Sequence, residues 1–401
     1  MITKATELAC LLVVLLALGL CATRAHAQLP TSDPTGVTTL SSCPSNLGFY
    51  SDPNNHPTCY SGTISCSNTA PIIPTWSVTN PGAANGTVVF FTGGGGESAA
   101  SFPGEEQLYI PLYTSANYQV VQVSWPSDWE LVNNVTISYT PNILNAACRP
   151  ASLLKYIYKN VYGTGGMCAQ GASAGGGGLA YALAWYGAFS YLDKAVFTSG
   201  PVFSDIEQGC EVPNSTSVSM CPSTQLGCNG WTSNPLPTES AEFTDHAMAV
   251  ETWTGGTTYT NPGGACGNSG LPIEATTYNS QWLNQSIVNF PSTGQQPSFS
   301  YSKTSMTAWL CEGLDQEGGL NNSAPEGEIF FQQFTSNSQA GGWLQINGNT
   351  LCQDTEGVGD GTPPPSWVTL LQSYGLQPTG SNAIGFEMSD SRYANRCQKL
   401  H

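Results

Sequence analysis

Positive charge is scarce in this chain. Its 401 residues hold 10 Lys and Arg against 27 Asp and Glu, with a pI near 4.3. A surface of that sign repels phosphate backbones and anionic lipid, which argues against nucleic acid and anionic membranes as partners. Histidine is scarcer still, with four residues. There is no Cys-x-x-Cys pair and no histidine cluster with zinc spacing, so the expectation is no metal, and no cofactor is called for. No internal repeat appears, which sets aside a solenoid or an adhesive array. After the first twenty residues no apolar run is long enough to span a bilayer.

The one apolar run, Leu8 to Leu20, follows Lys4 and precedes Ala25-His26-Ala27. A basic start, a short apolar stretch and an A-x-A site predict a secretory signal peptide over residues 1–27, cut near Ala27, and hence an extracellular protein. Cys10 and Cys21 leave with that leader, and 12 of the 14 cysteines remain. An even number in a secreted chain predicts a disulfide framework, with free buried thiols as the alternative. The strand order argued below would bring Cys148 near Cys168 and Cys311 near Cys352. Five Asn-x-Ser/Thr sequons, at Asn85, Asn134, Asn214, Asn284 and Asn321, are about what such a composition produces by chance.

Residues 28–70 are rich in Pro, Ser and Thr and carry Cys43, Cys59 and Cys66. They read as a stapled N-terminal extension with no core of its own, ahead of a domain over 71–401. Within that domain TVVFFTGGGG, YQVVQVSW, MCAQGAS and KAVFTSG are short apolar runs closed by turn residues, the pattern of buried strands. Arg149 to Tyr158 has helical spacing with Pro150 at a plausible first-turn position, and GGGLAYALAWYG forms the helix after MCAQGAS. Strands alternating with helices predict an α/β fold, a mostly parallel central sheet covered on both faces. From about 203 to 298 the rhythm breaks into a turn-rich stretch with Cys210, Cys221, Cys228 and Cys266, which reads as a disulfide-rich cap insertion. The core resumes with SMTAWLC, a helix around EGEIFFQQFTS, the strand GWLQIN and a last helix around WVTLLQSYG.

Gly171-Ala172-Ser173-Ala174-Gly175 is a G-x-S-x-G motif between a strand and a helix. Small residues let the chain turn sharply there and lift a serine hydroxyl above the sheet, while the helix N-terminus offers amides to a developing oxyanion. Upstream, FFTGGGG ends a strand where glycine amides can approach the same oxygen. Gly94, Gly95 and Ala174 are therefore the candidate oxyanion donors.

These residues carry a family resemblance. From about Thr87 to Gly375, the chain resembles secreted α/β-hydrolase-fold proteins of the esterase and lipase kind. The similar parts are FFTGGGG, VVQVSW with Trp129 after it, ACRPASLL, GASAGG and VFTSGPV; pectin and carbohydrate acetylesterases are similar more loosely. The resemblance implies a triad in the order Ser, Asp, His, with Ser173 as nucleophile and Asp315 as acid, Glu312 standing nearby. The histidine should follow the last strand, but the loop GNTLCQDTEGVGDGTPPP has none, and its position falls on Thr355. Threonine cannot accept the serine proton at neutral pH. Of the histidines left after the leader, His56 lies in the extension and His401 ends the chain. His246, in the cap, is the candidate base, with Asp205 or Asp245 to orient it.

Two functional classes follow. One is a secreted serine hydrolase acting on a small-molecule or polymeric carboxylic ester, acetylated substrates included. The other is a hydrolase-fold protein without its general base that binds a ligand or glycan in the old pocket. Trp231, Trp253 and Trp282 in the cap could stack on such a ligand or simply pack the cap on its base.

Overall fold

A computed structural model describes residues 28–50, 56–93, 110–111, 113–133, 136–137, 142–172, 174–198, 284–288, 295–301, 303–311, 330, 333–334 and 342–347. Among the described residues nine strands form one sheet: β1 (Thr35–Thr39), β2 (Thr58–Thr63), β3 (Thr75–Thr79), β4 (Gly86–Phe91), β5 (Gln119–Ser124), β6 (Gly166–Ala172), β7 (Lys194–Thr198), β8 (Ser305–Cys311) and β9 (Gly342–Asn347). Their spatial order is β1-β2-β3-β5-β4-β6-β7-β8-β9. The first three pair antiparallel and β3 joins β5 antiparallel; from β5 to β9 every pairing is parallel. Residues 28–70 thus supply two strands of the common sheet.

The central strands are near-continuous apolar runs because both of their faces are covered. Val89, Phe91, Val121, Val123, Met167, Ala169, Ala195 and Phe197 join one core with helix α1 (Ile143–Asn160) and helix α2 (Ala174–Ala184). On the other face Phe90 meets Tyr113, from a helical segment around 110–115, edge to face at 5.5 Å. Also on that face, the Tyr50 amide donates to Gln122 Oε1 (2.9 Å), and Gln122 Nε2 donates to Ser77 Oγ (3.2 Å). The end of the expected cap segment is fastened to the helices: Ile143 N–H donates to Gln285 Oε1 (2.7 Å), and Tyr181 OH donates to the Gln285 carbonyl (2.8 Å).

Two expectations change. Cys148 is bonded to Cys66, not to Cys168, and a second bridge joins Cys43 to Cys59. The sheet is the reason. Cys168 alternates with Met167 and Ala169, which face α1 and α2, so its side chain leaves on the opposite face from α1. Cys168 is itself disulfide-bonded; of the expected Cys311–Cys352 pair, Cys311 ends β8 and Cys352 lies outside the described residues. Pro150 sits inside α1 rather than in its first turn, because Asn142 caps the helix earlier, its side chain accepting from Asn145 N–H at 3.1 Å.

Candidate active site

The parallel strands share one carboxyl edge, and the chain reverses direction across the sheet there. β5 lies on one side of β4 and β6 on the other. In open α/β sheets that switch point is where ligands bind. The G-x-S-x-G motif leaves β6 at this point, and Phe91, the last residue of β4, is in register with Gly171.

Both glycines of the motif are demanded by close approach. A Cβ on Gly171 would lie 2.6 Å from the Gly175 carbonyl oxygen and 2.7 Å from Gly176 Cα. A Cβ on Gly175 would lie 2.5 Å from the Thr92 carbonyl oxygen and closer still to that of Phe91. The first pair of contacts defines a turn too tight for a side chain. The second presses the start of α2 against the end of β4, where FFTGGGG begins. A central parallel strand that runs through a turn too tight for side chains into a helix, at the switch point of this strand order, is the pattern of the α/β hydrolases. The chain has the α/β-hydrolase fold.

Among solved structures, the chain is similar to a brefeldin A esterase, a bacterial homologue of human hormone-sensitive lipase. The identity is 16% over 80% of this chain and 72% of that one, with a TM-score of 0.36. It is similar to Candida antarctica lipase A in its closed state at 11% identity over 87% and 84%, TM-score 0.43. It is also similar to acetyl xylan esterase 1 from Thermoanaerobacterium sp. at 12% identity over 79% and 82%, TM-score 0.38. No family model and no curated protein sequence matches the chain.

Of the sequence-predicted site residues, the structure describes Ala174, buried as the first residue of α2. Ser173, Gly94, Gly95, His246, Asp315 and Thr355 lie outside the described residues. His56 is exposed just before β2. Among the described residues no cluster of His, Cys, Asp and Glu could hold a metal, and no helix is long and apolar enough to cross a membrane.

The structure adds a set of side chains to which the sequence assigned no role. Trp129, 1% exposed on the loop after β5, donates its indole N–H to the Ala174 carbonyl at 3.1 Å. Arg149 of α1 is buried beside the same loop. Its Nη1 donates to the carbonyls of Trp129 (2.8 Å) and Leu131, and its Nη2 to that of Ala70 (2.6 Å). Burial pulls the guanidinium down to about 10, Glu130 pulls it the other way, and it stays cationic at neutral pH. One signal was available beforehand: a lone arginine in the otherwise apolar ACRPASLL asks what it neutralises.

Proposed function

We propose that the chain is a secreted serine hydrolase that cleaves carboxylic esters, small or polymeric, through an acyl-enzyme on Ser173. The observation that carries this reading is steric: Gly171 and Gly175, on either side of Ser173, each stand where a side chain would strike backbone. A turn that tight, entering a helix at the sheet's switch point, is the setting in which a serine hydroxyl is held up for attack. Ser173 Oγ adds to the ester carbonyl as its proton passes to a base, for which His246 is the candidate, oriented by Asp315 or by a cap aspartate. The Ala174 amide, with Gly94 and Gly95, receives the oxyanion. The alcohol leaves with the proton, and water then releases the acid by the same steps in reverse. The A-x-A site near Ala27 and the Cys43–Cys59 and Cys66–Cys148 bridges support an oxidising, extracellular setting.

One sequence observation favours a second reading. The sequence following β9, GNTLCQDTEGVGDGTPPP, has no histidine, with Thr355 at its expected place, which fits a binding protein that has lost its base. A fluorophosphonate probe with short p-nitrophenyl esters decides between them. Labelling that disappears in Ser173→Ala, with turnover falling about 10³-fold or more, is the hydrolase result. Full activity in His246→Ala removes the cap histidine from the mechanism. No labelling and no turnover, with activity gained in Thr355→His, is the result for the second reading.

A further inference from the structure

We propose that Trp129 is a positioning residue for the elbow, its indole N–H holding the Ala174 carbonyl and with it the first turn of α2. The functional half of this inference rests on the hydrolase reading; the bracing half does not.

α2 is weak as a helix by its own sequence. α2 opens Ala-Gly-Gly-Gly-Gly, and glycine is the poorest helix former after proline. Its first turn has no acidic residue to meet the helix dipole. A turn of that composition gains little order from itself, yet the Ala174 amide must be held still if it is to receive an oxyanion. Trp129 supplies the missing constraint from outside, at the residue that follows Ser173. Its indole also lies alongside α2, since a Cβ on Gly178 would stand 3.4 Å from Trp129 Cε2. The brace is itself anchored. Arg149 fixes the Trp129 and Leu131 carbonyls from α1 and the Ala70 carbonyl from the loop before β3. Next to it Cys148 is bridged to Cys66, so the anchor is tied covalently to the antiparallel part of the sheet.

The molecule contains its own control. Trp185, directly after α2, is equally buried, but its Nε1 has no hydrogen-bond partner among the described residues. Trp129→Phe and Trp185→Phe therefore both remove a buried indole, and only the first removes a hydrogen bond to the elbow. A third variant carries benzothienylalanine at 129, which replaces the N–H by sulfur and keeps the bicycle, so it preserves packing should the phenylalanine fold poorly. Hydrogen exchange is read on the peptide Gly175–Tyr181 of the full chain, together with the fluorophosphonate labelling rate and kcat and KM on p-nitrophenyl acetate. The expected result for both position-129 variants is exchange about tenfold faster in that peptide. Labelling and kcat fall about tenfold while KM stays within twofold, and Trp185→Phe leaves all of these within twofold. Exchange in the benzothienylalanine variant equal to that of the unaltered protein overturns the brace. An altered exchange with unchanged labelling and kcat overturns the positioning role. If the unaltered protein is never labelled, the hydrolase reading fails on its own, and exchange still decides the brace.

Discussion

The two helices behind the elbow are held by different means. α1 runs for 18 residues, is capped by Asn142 and carries Lys159 in its last turn, where a cation suits the helix dipole. It keeps its course even across Pro150. α2 has 11 residues, four of them consecutive glycines, no charge in either end turn, and every residue buried. Relative to alanine those glycines cost about 4 kcal/mol in helix propensity. One helix is specified mainly by its own residues and the other by what surrounds it. The element next to the candidate nucleophile is the dependent one, and its first glycine, Gly175, stands where β4 approaches too closely for a side chain.

The comparison breaks most severely where the surroundings are removed. Arg149→Met takes the guanidinium from three carbonyls and removes a cation that interacts with the fully buried Glu130. Removing one member of a buried charged interaction costs about 3–5 kcal/mol. We expect a loss of that size in urea unfolding followed by circular dichroism, with an unchanged slope. A loss under 1 kcal/mol would mean that the loop after β5 is held by something other than Arg149.

The next largest effect separates the elbow glycines from ordinary helix glycines. Gly175→Ala drives a methyl group into the Phe91 and Thr92 carbonyls. Those atoms are backbone and cannot rotate away, so β4 and α2 must part. Overpacking of this kind costs about 1–3 kcal/mol, and here it also displaces the end of β4, beside the proposed nucleophile. We expect stability to fall by that amount and fluorophosphonate labelling of Ser173 to be lost. Retained labelling would show that β4 contributes nothing to the site.

What the sequence could tell follows the same division. β4 to β9 were legible because they read as apolar runs between turn residues, and β4 and β5 are buried along their whole length. β1, β2 and β3 were not, since TGVTT, TCYSGT and TWSVT are too polar to show such a run. The start of α1 was placed late because Pro150 suggests a first turn, while the asparagine cap lies eight residues earlier. The motif around Ser173 was legible because its constraint is local. The Trp129–Ala174 contact was not, because it joins residues 45 positions apart and leaves no periodic trace. Cys148 was matched to the wrong cysteine because proximity in strand order does not say on which face of the sheet a side chain emerges.

The smallest effect is the most discriminating. Gly178 lies one turn beyond Ala174 on α2, and a Cβ there would stand 3.2 Å from Pro150 Cγ and 3.4 Å from Trp129 Cε2. These are side-chain atoms, so unlike the carbonyls at Gly175 they can give by a few tenths of an ångström. Alanine at 178 gains about 1 kcal/mol of helix propensity and loses a comparable amount in crowding. We therefore expect Gly178→Ala to change stability by less than about 0.5 kcal/mol, read in the same urea titration. A gain near 1 kcal/mol would mean that Pro150 and Trp129 yield freely, which would make Trp129 a loose neighbour of α2. A loss above 1 kcal/mol would mean a seat as rigid as the one at Gly175, and α2 would then depend on its surroundings through its whole first turn.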